Sequence, residues 1–456
     1  MGLEDLGDLA ISIILSKLGP RNAAVVACVC RRFRISASDE DLWRQFCSRE
    51  LDLSSPEDPY GNTAPSFKVL ISIASPHFIC SMKFPSLDFL IAIEILTYGD
   101  VYLVAYRLWK ESFGMYPWPL VKRAKECWST LKNWMAINFP EAGHTLRRGA
   151  TEAEIKAVEE ELGVSFPLPT RVLYRFCDGQ ETGASTEFLG LIGGYFFYEH
   201  IVDVYLLPLR VMVFETRELH QLGFPSISKY VVVAASMCLE KLFILNCADG
   251  QLYVGTENLA TQREMIPCVP DALITSVHDI NCALPQDAML LWLEEHGRRL
   301  RNGVIQVRKE GKIRSICQFP ETSPACSTAI TNGVQVTRSL EVVRASAVIV
   351  PELCNLQNEE EKYCFAYSIR MRLLPQGCML DGVYFGSCQL YWRRWVICAN
   401  DVVVSTVSGE GVIGKYPILY PGGVEFLYES FSQMPASGSM EGAFTFIPGR
   451  YPAKTP

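Results

Sequence analysis

The chain has 456 residues, of which 49% are hydrophobic, 20% charged and 11% aromatic. This length accommodates two to four domains with their own cores, and the composition excludes a largely disordered chain. The formal net charge of −8 is small for this length and no block of five like charges occurs, which argues against a nucleic-acid-binding or membrane-binding surface.

The 17 cysteines are odd in number and lie mostly within apolar runs. This distribution favours reduced, buried thiols over a disulfide framework. Glu4, Asp5 and Asp8 interrupt the start of the chain, so no secretory signal is predicted there. We therefore expect the protein in the cytoplasm, the nucleus or both.

Residues 1–50 predict short helices that are rich in apolar side chains. One helical face is predicted from the three- and four-residue spacing of Leu6, Ala10, Ile13, Ile14 and Leu18. Gly19 is expected to end that helix, and Pro20 suits the first turn of the next. So few residues make a poor independent core, and we expect another protein to cover their apolar surface.

The run LGDLAISIILSKLGPRNAAVVACVCRRF (6–33), followed by ASDEDLW (37–43), resembles an F-box, the module that docks onto Skp-family adaptors of cullin-RING ubiquitin ligases. The resemblance implies adaptor contacts by Leu6, Ile14, Leu18, Pro20, Val29, Cys30 and Trp43. The family usually opens with Leu-Pro, whereas Gly7 follows Leu6 here, which is expected to free the first turn and weaken docking. An amphipathic helix pair packed on its own chain is the alternative. A metal pair of Cys28 and Cys30 is disfavoured because no second pair lies near.

Residues 51–117 are predicted to be a linker followed by an apolar segment of uncertain structure. Residues 51–66 are rich in Pro, Asp, Ser and Gly, as linkers are. The most apolar stretch is FLIAIEILTYGDVYLVAY (89–106), which Glu94, Gly99 and Asp100 divide into pieces shorter than the ~20 residues of a membrane span. We predict a buried helix or strand there and no membrane role.

Residues 118–308 predict a domain that begins with helices. Thr151 and Glu154 have the spacing of a capping box. The string EIKAVEEELGVSFPLPTRVLYRFCDG (154–179) resembles the SUKH superfamily, and LGLIGGYFFY (189–198) fits its next strand. The resemblance implies a central α/β binding module, closed by a helix over 287–301. Asp178, Gly179 and Gln180 could form a partner surface, but a helix-stopping turn explains them without function and is favoured.

A second linker is predicted at 309–332, which is rich in Gly, Ser, Thr and Pro. An all-β domain is predicted at 333–456, because the apolar period changes there from 3.6 to 2. In KYCFAYSIRMRLL (362–374) the face from Tyr363 to Leu373 is expected to be buried and the alternate face exposed to solvent. In QLYWRRWVICAND (389–401) the alternation slips across Arg393-Arg394, as at a β-bulge.

The letters GEGVIG (409–414) match the G-x-G-x-x-G of a dinucleotide-binding turn. That turn requires a helix immediately after the glycines, whose amino-terminal N–H groups hold the pyrophosphate. Pro417 and Pro421 exclude a helix at this position. The motif therefore does not predict a dinucleotide cofactor.

The C-terminal segments resemble, in the family's order, an ApaG domain, and they imply a fibronectin III-like sandwich. These segments are FAYSIRM (365–371), QLYWRRW (389–395), GEGVIGKYPILYPG (409–422), FLYESF (426–431) and GSMEGAFTF (438–446). The family continues past Gly449-Arg450 with another strand, whereas this sequence ends in RYPAKTP, so a sandwich without its closing strand is an open alternative.

The ApaG resemblance also implies an anion- or substrate-binding loop. Its candidate residues are Gly409, Gly411, Gly414, Lys415, Arg393 and Arg394, whose amides and cations could hold pyrophosphate. The alternative, which is favoured, is a strand-to-strand turn with glycines where positive φ is required.

No catalytic or metal-binding motif is recognisable, since the six histidines are scattered and no G-x-S-x-G or Walker loop occurs. The order F-box, SUKH-like, ApaG resembles F-box proteins with a C-terminal ApaG domain. It implies a multidomain α+β protein without cofactor or catalytic residue, acting as the substrate-recognition subunit of a Skp-cullin-F-box ubiquitin ligase. Its implied partners are a Skp-family adaptor, through it the cullin-RING ligase, and a protein substrate of unknown identity. The alternatives are a sensor or enzyme that binds an anion or nucleotide through the glycine loop, and a non-ligase scaffold.

Overall fold

The computed structural model of the protein describes most of the chain. The described residues are 6–59, 61, 101–181, 188–198, 200–221, 229–282, 284–310, 313–321, 330–331, 334–335, 341–380 and 382–450. They belong to two compact units, one within 1–123 and 279–284 and the other within 124–278 and 285–456. The order of elements is helical, then mixed, then all-β, which confirms the predicted α+β class.

The described part of the first unit is helical. Its helices are α1 (Asp8–Leu18), α2 (Pro20–Val26), α3 (Arg31–Ala37), α4 (Glu40–Leu51) and α5 (Val101–Phe113). Gly19 separates α1 from α2 with a φ of 82°, which a side chain would oppose, and Pro20 begins α2 as predicted. The Asp39 carboxylate caps α4 by accepting the Asp41 amide at 2.9 Å.

Helix α5 adds buried side chains to the core that helices α1 to α4 form. Its Tyr106 ring meets the Trp43 ring of α4 edge-on, with centroids 5.6 Å apart, and the Cys47 thiol donates to the Tyr102 carbonyl at 3.3 Å. The apolar run predicted as a buried helix or strand is thus helical from Val101 onward, while residues 89–100 lie outside the described residues. Over the described ranges, no helix is long and apolar enough to cross a bilayer.

Helices of the second unit begin and end largely as their sequence signals predict. They are α6 (Trp118–Asn138, which starts in the first unit), α7 (Pro140–Gly143), α8 (Glu152–Leu162), α9 (Leu168–Phe176), α10 (Leu209–Gln221), α11 (Leu259–Gln262) and α12 (Ala288–Arg301). The capping box is confirmed, since Thr151 Oγ1 accepts the Glu154 amide at 3.2 Å and Glu154 Oε2 accepts the Thr151 amide at 2.7 Å. Asp287 caps α12 through the Leu290 amide at 2.9 Å.

The middle domain is built on one mixed sheet. Its strands are β1 (Gly193–Phe197), β2 (His200–Leu206), β3 (Tyr230–Ser236), β4 (Leu242–Asn246), β5 (Leu252–Gly255), β6 (Met265–Pro267), β7 (Gln306–Glu310) and β8 (Ile313–Cys317). Their spatial order is β6-β5-β4-β3-β2-β1-β8-β7, with only the β1-β8 pairing parallel among the described strands. Buried apolar residues in β2 to β5 form its core with α9, α10 and α12.

The prediction of a linker from residue 309 is wrong for its first part, because β7 and β8 form a hairpin that joins this sheet beside β1. Ile316 and Cys317 are buried there, and Arg308 pairs with Glu321. The many charged residues of 308–314 are typical of a solvated linker, while the pairing partner β1 lies more than a hundred residues earlier.

The C-terminal domain is a sandwich of antiparallel strands, as predicted. Its strands are β9 (Ile330–Thr331), β10 (Val334–Gln335), β11 (Glu341–Ile349), β12 (Tyr363–Leu373), β13 (Cys378–Leu380), β14 (Val383–Phe385), β15 (Cys388–Ala399), β16 (Val402–Glu410), β17 (Ile418–Leu419), β18 (Phe426–Met434) and β19 (Gly438–Pro448). One layer is β11-β12-β18 and the other places β16, β17 and β19 along β15. Residues 451–456, where a closing strand was in question, lie outside the described residues.

The predicted alternation along β12 is right for one half of the strand only. Ile369, Met371 and Leu373 belong to the sandwich core, but Cys364 and Ala366 on the face predicted to be solvated are fully buried. The reason is tertiary: Phe431, the β18 residue paired with Ala366, packs its ring against residues of the middle domain. The outer face of this layer is therefore covered.

The predicted bulge in β15 is confirmed but lies earlier than expected. Register with β19 shifts between Leu390 and Trp392, so Tyr391 is the extra residue, and a second irregularity against β16 falls between Ile397 and Cys398. Trp395 and Ile397 then resume the buried face.

Candidate protein-docking site

Large apolar side chains of the F-box helices point into solvent. They are Leu9, Ile13, Ile14, Leu18, Val25, Val29 and Ile35, with exposed fractions of 78%, 54%, 37%, 41%, 62%, 67% and 63%. We call this set the F-box face. Scattered apolar residues are ordinary on a surface, whereas so many within one short segment are typical of an interaction site.

The fold exposes this face because α1 uses other positions for its core. Ile11 and Leu15, four residues apart, are almost completely buried. The guanidinium of Arg32 holds the start of α1 by donating to an Asp8 carboxylate oxygen at 2.8 Å and to the Leu6 carbonyl at 2.5 Å. Arg49 of α4 donates to the Ser16 carbonyl at 3.0 Å. These contacts keep the side of α1 that lies opposite Ile11 and Leu15, with Leu9 and Ile13, exposed to solvent.

The predicted adaptor-contacting residues divide into three groups. Ile14, Leu18 and Val29 are exposed on the F-box face, and Leu6 and Cys30 are half-buried. Pro20 and Trp43 are instead buried within the first unit.

Trp43 belongs to the buried core of the first unit. Its indole N–H donates to the Ala37 carbonyl at 2.7 Å, and the side chain is 4% exposed. Leu9, Val25 and Ile35 are exposed on the same helices but were not among the predicted contacts, and their apolar character on short helices was the available signal.

The Asp178-Gly179 turn is a structural element. The two carboxylate oxygens of Asp178 accept the Leu209 amide at 2.8 Å and the Arg147 guanidinium at 3.0 Å. Gly179 has a φ of 68°, and a Cβ there would lie 2.6 Å from the Leu206 carbonyl oxygen. Gln180 is fully buried. These residues therefore close the middle domain, which agrees with the interpretation as a helix-stopping turn.

The glycine loop at 409–414 uses its polar groups internally. The amides of Gly411, Val412 and Lys415 donate to backbone carbonyls at 2.8 to 2.9 Å. Arg393 Nη1 donates to the Gly411 carbonyl at 2.7 Å, while Arg394 is exposed. Gly411 and Gly414 have φ of 60° and 71°. These contacts favour the turn interpretation, with Arg393 fixing the loop.

A buried charge cluster joins the middle domain to the segment that enters the sandwich. Glu352 is 5% exposed and accepts hydrogen bonds from Tyr195 and, at 3.1 Å, the His200 ring, while Lys241 Nζ lies 3.3 Å away. Burial raises the pKa of this carboxyl, but the Lys241 charge and these bonds lower it to about 2. Glu352 is therefore ionised, and we call the four residues the Glu352 cluster.

A second set of hydrogen bonds between the same domains is centred on Glu264. It accepts the Leu356 amide at 2.8 Å and the Gln357 side-chain amide at 2.9 Å. Burial opposes ionisation, but these bonds and those from Thr256 and Asn258 lower the pKa of Glu264. The middle domain and the segment that leads into β12 are thus joined by charge-assisted hydrogen bonds at Glu352 and at Glu264. Across the described residues, no group of three or more His, Cys, Asp or Glu side chains is arranged to hold a metal ion.

Comparison with known families assigns three segments of the chain. The F-box-like family matches residues 10–49, the SMI1 / KNR4 family (SUKH-1) matches residues 149–260, and the ApaG domain family matches residues 354–448. The exposed face apart from Leu9, strands β1 to β5 of the mixed sheet and strands β12 to β19 of the sandwich lie in these segments.

Comparison with curated proteins extends the likeness to the whole chain. "F-box protein SKIP16" of Arabidopsis thaliana is 50% identical over 98% of this chain and 94% of its own length. "F-box only protein 3" of Homo sapiens is 24% identical over 97% of this chain and 79% of its own length. "Protein ApaG" of Yersinia pestis is 36% identical over 90 residues, 20% of this chain and 64% of its own length.

Proposed function

The chain belongs to the family of F-box proteins that carry a SUKH domain and a C-terminal ApaG domain, and from this premise we propose that it is the substrate-recognition subunit of a Skp-cullin-F-box ubiquitin ligase. The F-box face docks onto a Skp-family adaptor. The middle and C-terminal domains hold the target protein. The ligase's other subunits transfer ubiquitin, so this chain contributes binding and no catalytic group.

The observation that carries the proposal is the exposed F-box face. A stable interface buries at least ~1,000 Å² in total and has an apolar centre with a polar rim. The face offers both kinds of side chain, since Leu18 and Val29 are exposed and the exposed charged residues Lys17 and Arg31 lie within two positions of them in the sequence.

Recruitment accelerates ubiquitin transfer by proximity. A target held by one domain and an adaptor held by another share one chain, so their effective concentration reaches the millimolar range if the geometry allows both contacts. The two sets of hydrogen bonds around Glu352 and Glu264 hold the middle and C-terminal domains together as a single body that the target can bind.

The test is capture of a purified Skp-family adaptor by the full chain. We expect the double substitution Leu18→Glu and Val29→Glu to weaken capture more than a hundredfold, because two carboxylates would be desolvated in the interface. Both positions are exposed, so the fold is retained.

The matched control is Ile137→Glu, which places the same charge at an 81% exposed isoleucine on α6. This variant should capture the adaptor as the unmodified chain does. Equal capture by the double variant, or no capture by any form of the chain, would contradict the proposal.

A further inference from the structure

A cavity of about 400 Å³ lies between the sheet of the middle domain and the first long strand of the C-terminal layer. Strands β1, β2, β4 and β5 and helix α12 form one side, and Ala347, Val348 and Ile349 of β11 form the other. Small-molecule sites have this size and occur preferentially where domains meet. The F-box face and the glycine loop contribute nothing to it.

Most of the cavity wall is apolar. Phe243 and Trp292 stand side by side, with ring centroids 5.0 Å apart, and Val254, Ile266 and Val348 complete the wall. Water in such a space finds few hydrogen-bonding partners, so an apolar ligand that displaces it gains free energy.

Two cations line the cavity and, among the described residues, no carboxylate does. Lys241 is already held, since its Nζ donates to Tyr195 Oη at 2.8 Å and pairs with Glu352. The Arg299 guanidinium has no hydrogen bond or ion pair within the described part of the chain. Glu295, whose charge acts on it, is bonded to Arg298 at 2.6 Å.

Arg299 is also partly withdrawn from water. Burial lowers the pKa of its guanidinium, which shows that the environment disfavours an uncompensated positive charge. The other polar groups are unsuited to balance it: Gln318 donates to the Ile192 carbonyl, and burial raises the pKa of the Cys268 thiol to about 12, so it stays neutral. A ligand anion would meet an unpaired cation at the edge of an apolar space.

We propose that this cavity binds a small organic anion, a carboxylate or sulfonate on an aromatic or aliphatic body, with the anionic group at Arg299 and the body against Phe243 and Trp292. Because the walls come from two domains, the ligand ties β11 to the sheet of the middle domain. The proposal is independent of the chain's role in a ligase, since the F-box face takes no part.

The probe is anilinonaphthalene sulfonate, an apolar anion whose fluorescence rises in apolar surroundings, titrated into the full chain. Val348→Phe fills the cavity from the face of β11 that pairs with Ala366 and should abolish one saturable binding site. Its matched control is Ser346→Phe, two positions along the same face of β11 and outside the cavity lining. Subtracting the Val348→Phe titration removes dye bound to the F-box face.

Charge recognition is tested at Arg299. Arg299→Gln should weaken the probe at this site about tenfold or more, as expected for losing a charge-assisted hydrogen bond. Arg301→Gln, an exposed arginine on the same helix outside the cavity lining, should leave affinity unchanged. Phenylnaphthylamine, the neutral counterpart of the probe, should bind both variants equally and more weakly than the anion binds the unmodified chain.

Identical titrations of the unmodified chain and Val348→Phe would overturn the proposal, because the dye would then lie elsewhere. Equal affinity of the neutral and anionic probes would also overturn it, and would identify an apolar packing site of the kind that receives a peptide side chain. Thermal unfolding of each variant, matched to the unmodified chain, makes either result interpretable.

Discussion

The F-box helices and the second unit use apolar and charged side chains in opposite ways. The helices expose leucine, isoleucine and valine and keep their ion pairs at the surface, such as Arg32 with Asp8. The second unit buries Glu352, Lys241 and His296, and pairs the first two where the middle domain meets the segment that enters the sandwich. A face awaiting a partner gains from exposed apolar area, whereas a fixed arrangement of two domains gains from buried polar groups that pair in one way only.

The largest expected effect comes from breaking the Glu352 cluster. Lys241→Met removes the ammonium and leaves a buried carboxylate without its cation. We expect the free energy of unfolding of the second unit to fall by about 3 to 5 kcal/mol, as for other buried pairs that lose one partner. Urea unfolding of the full chain measures this.

Arg298→Met is the matched change at the surface, because it removes a cation from the exposed pair with Glu295. That change should leave stability unaltered within error, because surface pairs are screened by water and salt. Adding Glu352→Gln to Lys241→Met should recover part of the loss. A Lys241 effect no larger than that at Arg298 would show that the cluster does not hold the domains.

A smaller effect is expected from pH at His296, which is buried against Trp292 and bonded to the Leu191 carbonyl at 2.9 Å. Burial lowers its pKa to about 4, below the ~6.5 of an unfolded chain. The unfolded chain therefore takes up a proton first as pH falls from 6.5 to 4. The free energy of unfolding should drop by about 3 kcal/mol across that window.

Urea unfolding at several pH values, for the unmodified chain and for His296→Gln, isolates this contribution. Asp203, whose pKa burial raises to about 6, acts in the opposite direction but is present in both proteins. The pH slope should be shallower in His296→Gln, whereas exposed His144→Gln should keep the slope of the unmodified chain. Parallel slopes for all three would exclude a buried neutral histidine.

The smallest expected effect concerns the glycine loop. Gly411→Ala meets both a φ of 60° and a Cβ 2.5 Å from the Lys415 carbonyl oxygen, and should cost about 2 kcal/mol. Gly414→Ala has a similar φ but open space, and should cost about 1 kcal/mol. Urea unfolding compares the two.

Calorimetry with pyrophosphate then separates a turn from an anion site. We expect no heat, because the amides of Gly411, Val412 and Lys415 already donate to backbone carbonyls of the chain. Heat that disappears in Gly411→Ala would instead support the anion-binding alternative.

Much of this fold follows from local sequence signals. The capping residues Thr151 and Asp287 mark the starts of α8 and α12, and the proline after Gly19 marks that of α2. These features depend on neighbours within four residues, so the sequence contains the whole interaction. The exposed F-box face was only partly predictable: α1 is apolar on several sides, and periodicity does not choose between Leu15 and Ile13 as its core residue.

Features that depend on distant residues were missed. The β7-β8 hairpin acquires its structure from β1, and the second buried face of β12 from the middle domain. The cavity beside Arg299 could not be predicted either, because its walls come from segments up to 159 positions apart, from Ile192 to Pro351. Sequence patterns report burial within an element and do not identify what covers its other face.

The covered outer face of β12 limits how the C-terminal domain can be handled. A fragment beginning at residue 333 would bare Cys364, Ala366 and Phe431 and lose the hydrogen bonds that hold Glu352. We therefore expect that the sandwich of this chain does not fold stably when it is separated from the middle domain. Deleting the middle domain to locate a target-binding region would report misfolding as lost recognition, whereas point substitutions on the intact surface would distinguish the two.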